Sequence, residues 1–182
     1  MKVVKFGGSS LASATQLEKV FNIVKEDETR KYVVVSAPGK RNPEDTKVTD
    51  ALIKYYKEYT NGKDTSQSQE WIINRYRSIT EELDLDEEII EEISRDIKSL
   101  ATLPKSDNTF LYDTFLAAGE NNNAKLIAAY FVKKGLDAKY IHPKNAGIFV
   151  TSEPCNARIL PSSYDKIEEL SNHNEILVIP GF

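Results

Sequence analysis

Residues 2–10 read K-V-V-K-F-G-G-S-S, a β-branched run that delivers the chain to paired glycines and two hydroxyls. A strand that ends this way hands over to a turn able to hold phosphate. Gly7 and Gly8 let the backbone approach a ligand closely and turn its N–H groups toward phosphate oxygens. Ser9 and Ser10 add hydroxyl donors. Lys5 is a cation on the strand itself, aimed at the same mouth if it faces the crevice at the carboxyl end of the sheet. On G-G-S-S alone, a tight turn with a solvated lysine explains these residues equally well.

Ser13 to Gln16, S-A-T-Q, matches a capping box. Leu17, Val20, Phe21 and Val24 then recur at helical spacing, and a polar run over 26–31 precedes a second strand, Tyr32 to Ser36. Two nearly unbroken apolar strands joined by a helix predict a parallel pair buried on both faces. The loops after Phe6 and Ser36 then leave at one edge, where ligands sit in such sheets. The loop 37–45, A-P-G-K-R-N-P-E-D, has no regular structure and reads as a surface connection or as part of a site. Helical periodicity resumes from Thr46 to Tyr59 through Val48, Leu52, Tyr55 and Tyr56, with Thr49 or Asp50 as its cap.

Two amphipathic segments follow, Trp71, Ile72, Arg75, Ile79 and then Ile89, Ile93, Ile97, Leu100. They predict a helical hairpin inserted into the α/β unit over about 61–104. Eight carboxylates and no cation lie between Glu81 and Glu92, a pattern that reads as a solvated face. From Thr109 the pattern is helical again, with a break expected at Gly119-Glu120 that sets Glu120 in a first turn. There a dipole-favoured surface carboxylate is the plain alternative to a functional one. Ala138 to His142 and Ile148 to Val150 read as short strands, Ile167 to Leu170 as a short helix, and Glu175 to Ile179 as a buried strand with P-G-F as its exit turn.

Composition narrows the function classes. A chain of 182 residues can bury a core without disulfides or metals. Cys155 stands alone and cannot form an internal bridge, and His142 and His173 are too far apart to suggest a metal site, so no metal is expected. The 24 basic and 28 acidic residues give a net charge of −4, with no basic block suited to nucleic acid. The chain shows neither a leader peptide nor an apolar run near the roughly 18 residues of a membrane span. It reads as soluble and cytoplasmic, and any phosphate binding must be local.

Five segments in order, K-F-G-G-S-S, V-V-V-S-A-P-G-K with K-V-T-D-A-L, A-A-G-E-N-N-N-A-K-L-I-A-A-Y, A-G-I-F-V-T and V-I-P-G-F, resemble aspartokinase in the amino-acid kinase superfamily. The resemblance implies an α/β fold with a mostly parallel sheet between helices. It also implies transfer of the terminal phosphoryl group of ATP, as its Mg2+ complex, to the side-chain carboxylate of L-aspartate, on the way to lysine, threonine and methionine. By the same resemblance Lys5 neutralises charge on the transferring group, and Gly7, Gly8 and Ser9 cradle the phosphates. Ser36 and Thr49 match hydroxyl positions near aspartate, Glu120 the carboxylate that holds its ammonium, and Phe182 a backbone contact to substrate. Ala117-Ala118 departs from the polar or basic residue that often precedes G-E in the family.

The family pattern continues beyond the equivalent of Phe182 into the rest of the nucleotide pocket and regulatory domains. The chain therefore resembles the N-terminal, aspartate-binding lobe, residues 1–182, of a homo-oligomeric enzyme, and is expected to be inactive alone. Two rivals remain: a superfamily member with another acceptor, and a non-catalytic module that uses the hairpin and exposed Tyr55, Tyr56 and Tyr59 as contacts. No G-x-x-x-x-G-K-[ST] occurs, which argues against a Walker-type NTPase.

Overall fold

The computed structural model describes residues 1–106, 108–153 and 156–181. In chain order they form β1 (Lys2–Phe6), α1 (Ala14–Lys25), β2 (Arg30–Val35), α2 (Val48–Thr60), α3 (Ser66–Glu82), α4 (Glu87–Ser99), α5 (Asn108–Lys133), β3 (Ala138–Tyr140), α6 (Ser162–Glu168) and β4 (Ile176–Pro180). The strands make one parallel sheet in the order β1-β2-β4-β3. Phe6 pairs with Val35 and Val35 with Pro180, so three strands end level along one edge. Parallel strands need crossovers, and helices supply them, which makes the architecture α/β.

One face of the sheet is covered by the larger core. Val4, Phe6, Val33, Val35 and Val178 meet Leu17, Val20, Phe21 and Val24 of α1 and Phe115, Leu126, Ile127 and Phe131 of α5 there. Leu177 and Ile179 turn to the other face, where Ile141, Ala146 and Leu170 form a smaller cluster. The period of two along each strand sorts these residues. That second layer does not reach β1, whose Val3 is 67% exposed. The expected burial of the β1–β2 pair on both faces holds in full for neither strand: Val33 and Val35 of β2 are buried while Tyr32 and Val34 on its other face are half-buried, and β1 lies at the sheet's edge.

Helix starts and stops correct several expectations. Ser13 caps α1, its Oγ accepting from the Gln16 amide at 3.4 Å. Neither Thr49 nor Asp50 caps α2: the cap position is Lys47, without a side-chain bond, and both residues lie inside the first turn. Helix α5 runs unbroken through Gly119 and Glu120, so Glu120 is mid-helix and not in a first turn. Gly119 is there for space. A Cβ on it would sit 2.9 Å from Leu52 Cδ1 and 3.0 Å from Ala37 Cβ, so α5 uses the glycine to lie close against α2 and the loop after β2. Val150 makes only an isolated bridge to Ile159 rather than a strand.

Helices α3 and α4 pack on each other and on α2 and α5, filling the stretch read as a hairpin. Tyr55 is fully buried rather than exposed. Its hydroxyl donates to the Ile97 carbonyl at 3.1 Å, its ring packs edge-on against Phe115 at 4.9 Å, and burial pushes the phenol up to about 12. Most of the acidic stretch is exposed as expected, but Asp84 pairs with Lys133 and Glu92 with Lys125, each at 2.6 Å. Among the described residues no helix is long and apolar enough to cross a membrane.

Candidate active site

The carboxyl edge of the sheet gathers the residues that carry chemistry. Lys5, one residue before the end of β1, is exposed on the face of that strand left uncovered. Gly7 is extended backbone with open space above it, and Gly8 and Ser9 begin a 3-10 turn that continues to Leu11. The first amides of such a turn have no acceptor within it, which leaves them directed outward at the strand's end. That geometry suits an anion, and Lys5 adds the matching charge.

The loop after β2 lies against this turn. The Gly39 amide donates to the Gly8 carbonyl at 2.8 Å, and a Cβ on Gly39 would fall 2.5 Å from the Gly8 carbonyl carbon. Only glycine permits this approach. Residues 37–39 are buried, so the loop is part of the site's floor before it reaches the surface at 40–44. At its far end the Val48 amide donates to the Pro38 carbonyl at 3.1 Å, which brings the half-buried Thr49 back beside the crossing.

Helix α5 supplies the acid. Glu120 is half-buried, and burial pushes its carboxyl above the ordinary 4.5. Lys5, the amides of Gly181 and Ala37, and the Ser36 hydroxyl pull in the other direction without outweighing burial. Its Oε2 closes no hydrogen bond among the described residues. A half-buried carboxylate whose desolvation outweighs its local donors gains from an added ammonium or N–H donor on its exposed side. Buried Tyr76 of α3 supports the turn by donating to the Gly119 carbonyl at 2.6 Å, and buried Asn123 donates to the Ser36 carbonyl at 2.6 Å.

The structure thus brings Lys5, Gly7, Gly8, Ser9, Ser36, Thr49 and Glu120 to one end of the sheet, while Phe182 lies outside the described residues. Sequence reasoning missed Gly39, Arg75, Tyr76 and Asn123. Arg75 did leave a signal: it sits at the core spacing of α3 with Ile72, Tyr76 and Ile79, where a cation is out of place unless paired. Among the described residues no group of three His, Cys, Asp or Glu could hold a metal ion. A separate cavity of about 600 Å³ is lined by Leu100, Ala117, Asn122, Lys125 and Tyr140.

A model of the amino acid kinase family matches residues 1–182. Aspartokinase 3 of Bacillus subtilis (strain 168) is 51% identical over 182 residues, covering 100% of this chain and 40% of that protein. Aspartokinase 2, chloroplastic, of Arabidopsis thaliana is 27% identical over 193 residues, covering 99% of this chain and 34% of that protein. The crystal structure of Clostridium acetobutylicum aspartate kinase superposes with a TM-score of 0.78 at 33% identity, over 99% of this chain and 38% of that one. Aspartokinase III of E. coli, in complex with aspartate and ADP, gives 0.75 at 19% identity over 99% of this chain and 40% of that one, a likeness of fold. The chain thus spans 40% or less of the length of the relatives it matches in sequence.

Proposed function

The chain belongs to the amino acid kinase family, and from that membership we propose that it is the N-terminal, aspartate-binding lobe of an aspartate kinase, with a helical insertion over about 61–104. The reaction moves the terminal phosphoryl group of ATP to the side-chain carboxylate of L-aspartate. Glu120 carries this reading: a half-buried carboxylate beside Ser36 and within the field of Lys5, whose desolvation outweighs the Gly181, Ala37 and Ser36 donors around it. It is built to receive an ammonium, and the acceptor of an aspartate kinase has one.

Each residue then has a task. The amides and hydroxyl of the Gly7, Gly8 and Ser9 turn hold phosphate oxygens, and the Lys5 ammonium offsets the charge that spreads over the transferring group. Glu120 accepts from the α-ammonium of aspartate by a charge-assisted bond, with Ser36 and Thr49 offering hydroxyls to the acceptor. Phe182 lends its backbone to the same pocket. Mg2+ bound to the nucleotide phosphates would add to the charge neutralisation that Lys5 supplies there. Phosphoryl transfer needs positioning and neutralisation more than a covalent intermediate, and the site's residues supply both.

The test is ATP-dependent acyl phosphate formation, trapped with hydroxylamine, by the protein at its natural length. Aspartyl hydroxamate is expected from L-aspartate, and the 182-residue chain alone is expected to give none. Product from another acid in preference to aspartate would move the assignment to another acceptor.

A further inference from the structure

The α3 helix contributes one charged side chain to the interior beneath the two loops. Arg75 is 4% exposed. Its Nη1 donates to Asp45 Oδ2 at 2.8 Å and its Nη2 to the Gly39 carbonyl at 2.5 Å, while Nε has no partner. An ion pair serving stability alone requires only the first arm, and Asp45 is already occupied by Arg41, through its backbone amide at 2.9 Å and its guanidinium at 2.9 and 3.2 Å. The second arm reaches the peptide that makes the crossing. Gly39 is held on both sides, its carbonyl by Arg75 and its amide by the Gly8 carbonyl.

We propose that Arg75 is a positioning residue that fixes the Gly8 turn against the loop joining Ser36 to Thr49, through its bond to the Gly39 carbonyl. It thereby sets the distance between the phosphate-binding turn and the acceptor. The proposal rests on the reading of the site as a phosphotransfer site. The two halves of that site come from different loops, and among the described residues the backbone bonds that join them past Val35 are the Ser36 amide to the Phe6 carbonyl at 3.3 Å and the Gly39 amide to the Gly8 carbonyl at 2.8 Å. A planar guanidinium fork satisfies a carboxylate and a carbonyl at once, whereas a lysine ammonium on one flexible stem does not. A misplacement of about 1 Å between reacting groups costs as much as 10²-fold in rate.

The experiment compares Arg75→Lys, Arg75→Met and Asp45→Asn. Aspartate phosphorylation is measured with the protein at its natural length, and hydrogen exchange of the Gly39 amide with the 182-residue chain. Arg75→Lys and Arg75→Met are expected to lower kcat about 10- to 100-fold, with KM for both substrates within about threefold and a matching loss of Gly39 amide protection. Asp45→Asn leaves the Gly39 arm in place and is expected to keep kcat within about threefold. A kcat loss that tracks only the folded fraction, or an equal loss in Asp45→Asn, overturns the proposal. If both Arg75 variants fail to fold, Asp45→Asn decides: retained protection and rate support it, and loss of both overturns it. Wild-type protein that phosphorylates no aspartate refutes the functional reading instead, and the Gly39 amide still reports whether Arg75 holds the crossing.

Discussion

Glu120 feels the charge of Lys5 across the crevice, yet the two close no ion pair among the described residues. An opposed cation and anion held apart at the mouth of a sheet leave room between them. In the proposed reaction the acceptor carboxylate and the phosphoryl group occupy that room.

Lys5→Met tests the cation. The side chain is exposed, so folding stability is expected to hold within about 0.5 kcal/mol. The rate of aspartyl phosphate formation is expected to fall about 10²- to 10³-fold, the usual consequence of deleting a group that stabilises developing charge. Steady-state kinetics and a melting curve on the same preparation check both halves.

Glu120→Gln separates binding from stability. The folded carboxyl is raised above 4.5, so the folded chain holds its proton more tightly than the unfolded one and loses stability as pH rises through that window. Gln removes the charge, and the ligand-free protein is expected to lose this fall in stability with rising pH, read as a flatter melting-midpoint profile than the wild type's. Aspartate affinity moves the other way. In the wild type it is expected to weaken on acidification as Glu120 protonates, and in Glu120→Gln to be low with that pH dependence gone, as read by calorimetry.

The Gly119 position reports the closeness of α5 to its neighbours. Ala is favoured over Gly in a helix by about 1 kcal/mol, but the added Cβ meets Leu52 and Ala37, and overpacking of this kind costs about 1–3 kcal/mol. Gly119→Ala is expected to destabilise by about 1 kcal/mol in denaturant titration. Adding Leu52→Ala relieves one of the two contacts, so the pair is expected to be less damaging than the sum of the single changes.

Asp45 sets an acid limit on the loop. Arg41, assisted by Arg75, holds its carboxyl well below the ordinary 3.8, against the opposing effect of burial. A depressed folded value means a contribution present in full above about pH 4 and lost as pH falls toward that value. Asp45→Asn is expected to flatten the stability profile below about pH 4 and leave its shape above that unchanged, measured by thermal melts across the range.

Most of the frame was legible in the sequence because it rests on local periodicity. The β1 to β2 unit, the helices after it, and the glycine turn follow from spacing and turn chemistry alone. Gly119 misled because a glycine in a helical run signals a break locally, whereas its reason here is tertiary: Leu52 and Ala37 come from other parts of the chain. An aromatic triplet with lysine neighbours reads as an exposed face, whereas Tyr55 is buried because α4 covers it, its hydroxyl donating to the Ile97 carbonyl. Lys5 is legible as a cation on a strand that runs into a glycine turn, and Glu120 through the family resemblance, but their relation to Gly39 and Arg75 depends on a loop crossing that no periodicity encodes.

Among the described residues the outer edge of β1 is unpaired, which has a consequence for the 182-residue chain in solution. Its outer main-chain groups form a ready template for another strand, the feature that drives edge-to-edge aggregation. Lys5 stands on that strand, and a second copy docking there brings like ammonium groups together, a repulsion that salt screens beyond about 10 Å at 0.1 M. Light scattering is expected to find the chain dispersed at low ionic strength and increasingly self-associated as salt rises, with Lys5→Met lowering the salt at which this begins.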